Sequence, residues 1–323
     1  MRRFRVECPD APRSPPQASK TGPLGPAGTG NTLIVDTVSR FWPRTLLLCA
    51  GLGFFTVLLL KLHFAARLDL YSDEVFYWLA STNPALAYSD LPFMTALLAG
   101  LGSSLDAGSA FAVRLPFILL GSLVPLLMYW LARPLAPGSQ PLEVAILALC
   151  LPLGGFLGLL AVPDVPLIVF GLASIAMFER GLRLNAWRYW LGAGAFAALG
   201  MSTHYRFLLY PLAVFLFLLV YPRARPQLRN PRFWAAALLA SCGLLPILWF
   251  NLNFDLSSAS FYLVERHPWQ FHSDGLLHLP TQFALVTPPL YLALLYTLWF
   301  MLGRAQQGET AAALLLSLSL VNL

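Results

Sequence analysis

The chain has 323 residues, of which 58% are hydrophobic and 11% charged, with a formal net charge of +6. Ordinary globular domains carry about 25% charged residues, so this balance excludes a soluble domain of such length and points to an all-α polytopic membrane protein. No nucleic-acid motif accompanies the positive charge, which therefore bears on membrane orientation and anionic lipid rather than on nucleic acid.

Met1 to Asn31 is rich in Pro, Gly, Ser and Arg and lacks the apolar core of a signal peptide. Residues 1–40 read as a disordered cytoplasmic tail and 41–323 as one transmembrane domain. Crossing the hydrocarbon takes about 20 mostly apolar residues. The first such stretch is Thr45 to Phe64, and further spans are expected near 111–132, 142–162, 165–178, 189–203, 207–221, 233–250 and 284–303. The run from Ala311 to Leu323 opens another and stops short, so the domain is expected to be incomplete at its C-terminus.

Basic residues near membrane spans favour the cytoplasm. With the N-terminus inside, 16 of the 21 Lys and Arg residues fall on inner segments, leaving Lys61, Arg67, Arg114, Arg206 and Arg266 outside. Nine of the 15 acids fall on the outer face: Asp69, Asp73, Glu74, Asp90, Asp106, Asp164, Asp255, Glu265 and Asp274. Candidate chemistry is therefore expected on that face. Cys8, Cys49, Cys150 and Cys242 have neither disulfide nor zinc spacing and read as packing residues.

Arg67 to Ser109 is the longest outer segment and holds two apolar stretches too short to span, one after the acids and one from Met94 to Leu101. Their aromatic content predicts short helices lying in the interface. A second outer loop, Asn251 to Gln282, carries Asp255, Glu265, Arg266, His267, His272 and Asp274.

Asp73 and Glu74 follow Tyr71-Ser72 and precede Val75-Phe76-Tyr77-Trp78. One reading is a helix start, with Ser72 as cap and the two acids facing the helix dipole. The other is proton chemistry, because a carboxylate near lipid and flanked by aromatics is partly desolvated and becomes a stronger base. Asp90, before Leu91-Pro92, has the same two readings, and Asp164, between Pro163 and Val165, reads first as a turn or cap residue. On the cationic side, His204-Tyr205-Arg206 and Arg266-His267 are candidates to bind a phosphate, for which Arg offers a bidentate fork. Arg206 can equally snorkel to headgroups. His267 and His272 lack compact metal-ligand spacing, so no cofactor is assigned and a divalent metal stays open.

Taken in order, Asp73-Glu74 with its aromatics, Tyr88-Ser89-Asp90-Leu91-Pro92, Val113-Arg114-Leu115-Pro116, Pro163-Asp164 and Leu245-Pro246-Ile247-Leu248-Trp249-Phe250-Asn251 resemble the membrane-embedded glycosyltransferases of the GT-C type. That superfamily includes protein O-mannosyltransferases and bacterial lipid A aminoarabinose transferases. The resemblance runs from about Arg40 to the end, with Leu91 and Phe93 standing where the family often has a basic residue and a second proline. It implies a GT-C helical bundle in a bacterial inner membrane, with its N-terminus cytoplasmic and its active site periplasmic. It also implies inverting transfer of a sugar from a polyprenyl-phosphate donor to a lipid, glycan or protein acceptor. By the same resemblance Asp73 is the catalytic base, Glu74 and Asp90 complete an acidic pocket, and His204 and Arg206, with Arg266, stand near the donor phosphate. Two other readings remain: a polytopic transporter, which would place charges near mid-membrane, and a non-catalytic membrane partner in which the acids are only caps.

Overall fold

The computed structural model describes residues 29–88, 91–256, 260, 264 and 273–322. The chain divides into a unit Met1–Arg44 and a unit Thr45–Leu323. Helix α1 (Thr29–Ala65) begins inside the stretch read as a tail. Among the described residues of the second unit the regular elements are all helices, with one isolated bridge between Ala87 and Pro92 and no strand.

Among the described residues four helical segments are long and apolar enough to cross a membrane: Arg44–Ala65, Ala110–Ala132, Asp164–Leu184 and Pro231–Asn253. The second joins α4 (Ala110–Ser122) to α5 (Val124–Ala132) through Leu123, which keeps right-handed helical angles. The third is α8 (Asp164–Leu184). A tight 3-10 turn (Cys242–Leu244) in the fourth links the helix Pro231–Ser241 to the helix Leu245–Asn253. The all-α polytopic architecture expected from composition is thus present.

Between these lie shorter pieces. The expected interfacial stretches are α2 (Ser72–Thr82) and α3 (Met94–Ser103). The expected span at 142–162 is not one helix. It breaks into α6 (Gln140–Cys150) and a five-residue α7 (Pro152–Phe156), after which the backbone runs irregularly to Pro163. Pro152 pushes Leu151 into an extended conformation (φ −69°, ψ 128°), which stops α6. Gly158 then takes φ +96°, open to glycine without strain.

The expected spans at 189–203 and 207–221 are α9 (Trp187–Met201) and α10 (Leu209–Val220). At 1.5 Å per residue they cover about 22 and 18 Å, short of the ~30 Å of hydrocarbon. Then come α11 (Pro231–Ser241), α12 (Leu245–Asn253), α13 (His278–Leu285), α14 (Pro288–Gln306) and α15 (Thr310–Val321). Helices α13 and α14 meet at a 107° bend, so the span expected at 284–303 starts at Pro288 instead.

Two ends of the bundle can be told apart. At one end Asn185 closes α8 in the left-handed conformation (φ 46°), its N–H bonding Gly181 O. Its side-chain oxygen accepts from Trp190 Nε1 at 3.0 Å and Asn230 Nδ2 at 2.9 Å, tying α8, α9 and α11 together. Arg180 reaches the Trp130 carbonyl and stacks 4.1 Å from that ring, fastening α8 to α5. At the other end α2, α4 and the start of α8 converge. Between the two ends packs an apolar core around Phe117, Val113, Val165 and Val169.

Helix α4 and the irregular segment touch backbone to backbone. A Cβ on Gly121 would lie 1.9 Å from Leu157 O, and one on Gly158 would lie 2.2 Å from Phe117 O. Gly158→Ala is therefore expected to cost about 2–4 kcal/mol through strain and overpacking, read as a lower melting temperature in detergent. Gly53→Ala, inside α1 with nothing within 4 Å, is the control expected not to lower it.

Candidate functional site

Helix α2 starts the site. Ser72, expected as the cap, is instead the first helical residue, and Tyr71 holds the cap position. The capping partner is Glu74, whose Oε2 accepts from Tyr71 N–H at 2.9 Å.

Glu74 is completely buried. Its Oε1 accepts from Arg114 Nε at 2.8 Å and from Ala161 N–H at 2.8 Å, while Oε2 accepts from Arg114 Nη2 at 2.6 Å as well as from Tyr71. A carboxylate offers about four acceptor positions, and all four are filled. Burial alone pushes the Glu74 pKa up, but the bonds from Arg114, Ala161 and Tyr71 outweigh it and hold the group below its ordinary value.

Arg114, equally buried, uses its remaining donors on the end of α1: Nη1 to Ala65 O at 3.1 Å and Leu68 O at 2.6 Å, Nη2 to Asp69 O at 2.7 Å. Four pieces of chain are thus joined by one ion pair: the α1 terminus, α2, α4 and the approach to α8. The sequence placed Arg114 in the opening turn of a span without a partner for it. A lone Arg about 6 Å inside an apolar helix requires one, and that was the available signal.

Asp73, one residue earlier on α2, is exposed and has no hydrogen bond or ion pair among the described residues. Its neighbour is locked while it stays open. Asp90 lies outside the described residues, as does Arg266. The chain following Asp90 is fixed, however, since Tyr88 N–H bonds Leu91 O at 2.8 Å and Met94 N–H bonds Ser202 O at 3.1 Å. The second bond brings α3 against the end of α9, beside His204.

His204 caps a 3-10 turn (Tyr205–Leu208), its Nδ1 accepting from Arg206 N–H at 3.0 Å. Arg206 projects outward, with Nη1 3.9 Å from Asp164 Oδ1 in an exposed pair that contributes little by itself. Asp164 opens α8 three residues after Ala161, so the Glu74 clasp and the Asp164–Arg206 pair occupy the same end of the bundle.

Arg206 also stands on the rim of a cavity of about 370 Å³ whose walls come from α5, α8, α10 and α15. The walls are apolar, with Leu167, Leu172, Phe207 and Leu318 among them, and Asn322 and Ser319 supply the few polar groups. An apolar cleft with a guanidinium at its mouth suits an amphiphile with a hydrocarbon tail and an anionic head. Among the described residues no three His, Cys, Asp or Glu side chains gather as a metal cluster, and His267 and His272 lie outside them.

A family model described as dolichyl-phosphate-mannose-protein mannosyltransferase matches residues 90–250, about half of the chain. The match takes in Arg114, Asp164, His204 and Arg206 and starts beyond Asp73 and Glu74. No curated protein and no solved structure matches the chain.

Breaking a buried ion pair from one side leaves an uncompensated charge and costs about 3–5 kcal/mol, whereas replacing both partners with apolar groups is often neutral. Arg114→Ala or Glu74→Leu should therefore abolish monodisperse protein, and the double variant Glu74→Leu/Arg114→Met should restore it. The depressed Glu74 pKa adds a pH signature. Its stabilisation is complete above the unfolded-state value near 4.3 and is lost as pH falls through the lower folded-state value. Melting temperature should drop at acid pH in the parent chain and drop less in the double variant.

Proposed function

We propose that this chain, which belongs to the superfamily of membrane-embedded glycosyltransferases, moves a sugar from a polyprenyl-phosphate donor to an acceptor hydroxyl at the acid-bearing end of its bundle. The observation that carries this reading is the cleft under Arg206: an apolar trough of about 370 Å³ with a permanent cation at its rim, on the same end as the open carboxylate of Asp73.

In this reading the prenyl tail lies in the cleft and its phosphate meets Arg206. The Asp73 carboxylate takes the proton from the acceptor hydroxyl as that oxygen attacks the anomeric carbon. The bond from that carbon to the phosphate oxygen breaks on the opposite face, inverting the centre, and the electron pair leaves with the lipid phosphate. Arg206 stabilises the departing anion where the charge develops, and Asp164 and His204 position Arg206. Glu74, with its acceptor sites filled, positions α2 and so Asp73 instead of exchanging protons. Asp90 and Arg266 are proposed as further acidic and phosphate contacts from the two outer loops. The acid-bearing end is assigned to the periplasm and the Arg-rich end to the cytoplasm, following the basic-residue bias.

The arrangement of ionisable groups favours this over a transporter. Lys61, Arg114, Glu179 and Arg180 are buried within spans, yet each lies within about 8 Å of a span end by helical rise. Mid-membrane charges, which carriers use for coupling, are missing from the described spans.

Asp73→Asn should lower the rate of sugar transfer by about 10²–10⁴-fold with normal insertion and unaltered donor binding. Arg206→Gln should weaken the use of a polyprenyl-phosphate sugar and spare binding of a neutral prenyl alcohol. Full activity in Asp73→Asn would remove the base assignment. Comparing glycolipids and glycoproteins of cells with and without the gene identifies the sugar and the acceptor together.

A further inference from the structure

A second cavity, of about 570 Å³, opens at the opposite, Arg-rich end, between α10, α14 and α15. Its body is apolar, formed by Leu216, Phe217, Val220, Leu302, Leu316 and Leu320. Arg223 and Gln306 add polar groups to the lining, and Tyr221 lies beside them. The Tyr221 hydroxyl is shielded from solvent and has no hydrogen-bond partner among the described residues, while its ring stacks on Phe217 at 5.8 Å. Arg223 Nη1 donates to Gly308 O at 2.5 Å, which pins the guanidinium to the rim. The other N–H groups of that guanidinium make no further hydrogen bond to the described residues.

The charge around this rim is one-sided. Between Glu179 and Asp255 the sequence contains no acid, while Arg223, Arg225, Arg229 and Arg232 crowd the connection from α10 to α11. The nearby Glu309 is taken up by Arg304. A hydrocarbon-lined trough with an unneutralised, pre-positioned guanidinium is complementary to an anion that carries acyl chains.

We propose that this cavity holds one anionic phospholipid, with an acyl chain in the apolar body and its phosphate on the free N–H groups of Arg223. The site is separate from the cleft under Arg206 and from the transfer reaction, so it stands or falls independently of the assignment of Asp73. A lipid seated there adds a link between α10 and α14 beside the direct packing of α10 on α15, where Ser317 Oγ donates to Ala213 O at 2.8 Å.

The chain, reconstituted in phosphatidylcholine nanodiscs containing a minority of phosphatidylglycerol, is extracted in neutral detergent, and retained lipid is counted by native mass spectrometry. The expected result is one phosphatidylglycerol held in preference to phosphatidylcholine by roughly five- to tenfold. Arg223→Gln should erase the preference, and Leu320→Trp, which fills the trough, should remove the bound lipid. Arg229→Gln makes the same charge change away from the cavity and should retain the preference. Equal retention of the two lipids by the parent chain, an undiminished preference in Arg223→Gln, or equal losses in Arg223→Gln and Arg229→Gln would each overturn the proposal.

Discussion

A guanidinium on α4 and a carboxylate on α2 meet as a bidentate fork, both fully buried, and the acid-bearing end of the bundle depends on that meeting. Neither group could stand there alone, because an unpaired charge removed from water is among the most costly things a fold can contain. Together they also use every remaining polar site: Arg114 ties off three carbonyls at the end of α1, and Glu74 takes the N–H groups of Tyr71 and Ala161. The pair therefore acts as a four-way clasp, and it fixes the direction in which Asp73, its chain neighbour, leaves the helix.

The clasp also explains how a broken span is tolerated. Between Leu157 and Pro163 the backbone is neither helix nor strand, and within a membrane such backbone survives only when protein groups satisfy it. Ionisable side chains do so at both ends: Lys61 Nζ donates to Leu157 O at 2.7 Å and Glu74 accepts from Ala161 N–H. The glycines at 121 and 158 let α4 approach closely enough to bury what lies between. The irregular segment is thus a built part of the fold, and it delivers Asp164 to the start of α8 opposite Arg206.

The two ends of the molecule use charge differently. At the acid-bearing end a buried pair is neutralised internally, leaving Asp73 open and Arg206 loosely engaged at the rim of an apolar cleft. At the other end arginines outnumber acids and are fastened to carbonyls, to aromatic faces or to the rim of a second apolar cavity.

Composition and hydropathy by themselves determined the all-helical membrane class, because a bilayer accepts few other structures. They also placed the long spans at 45–64, 111–132 and 233–250, the short apolar helices after Asp73 and after Phe93, and the gathering of acids and arginines at opposite ends. The break at Pro152 and the bend before Pro288 had visible residues, but a sliding apolar window averages over a proline and reports one span where the chain makes two pieces. Only the tertiary structure decided which of two adjacent acids stays open. Asp73 and Glu74 are alike in composition and local sequence, and they differ because α4 brings Arg114 to one face of α2 and not to the other. That choice rests on a contact between residues 40 positions apart, and helical periodicity carries no information about the far end of such a contact.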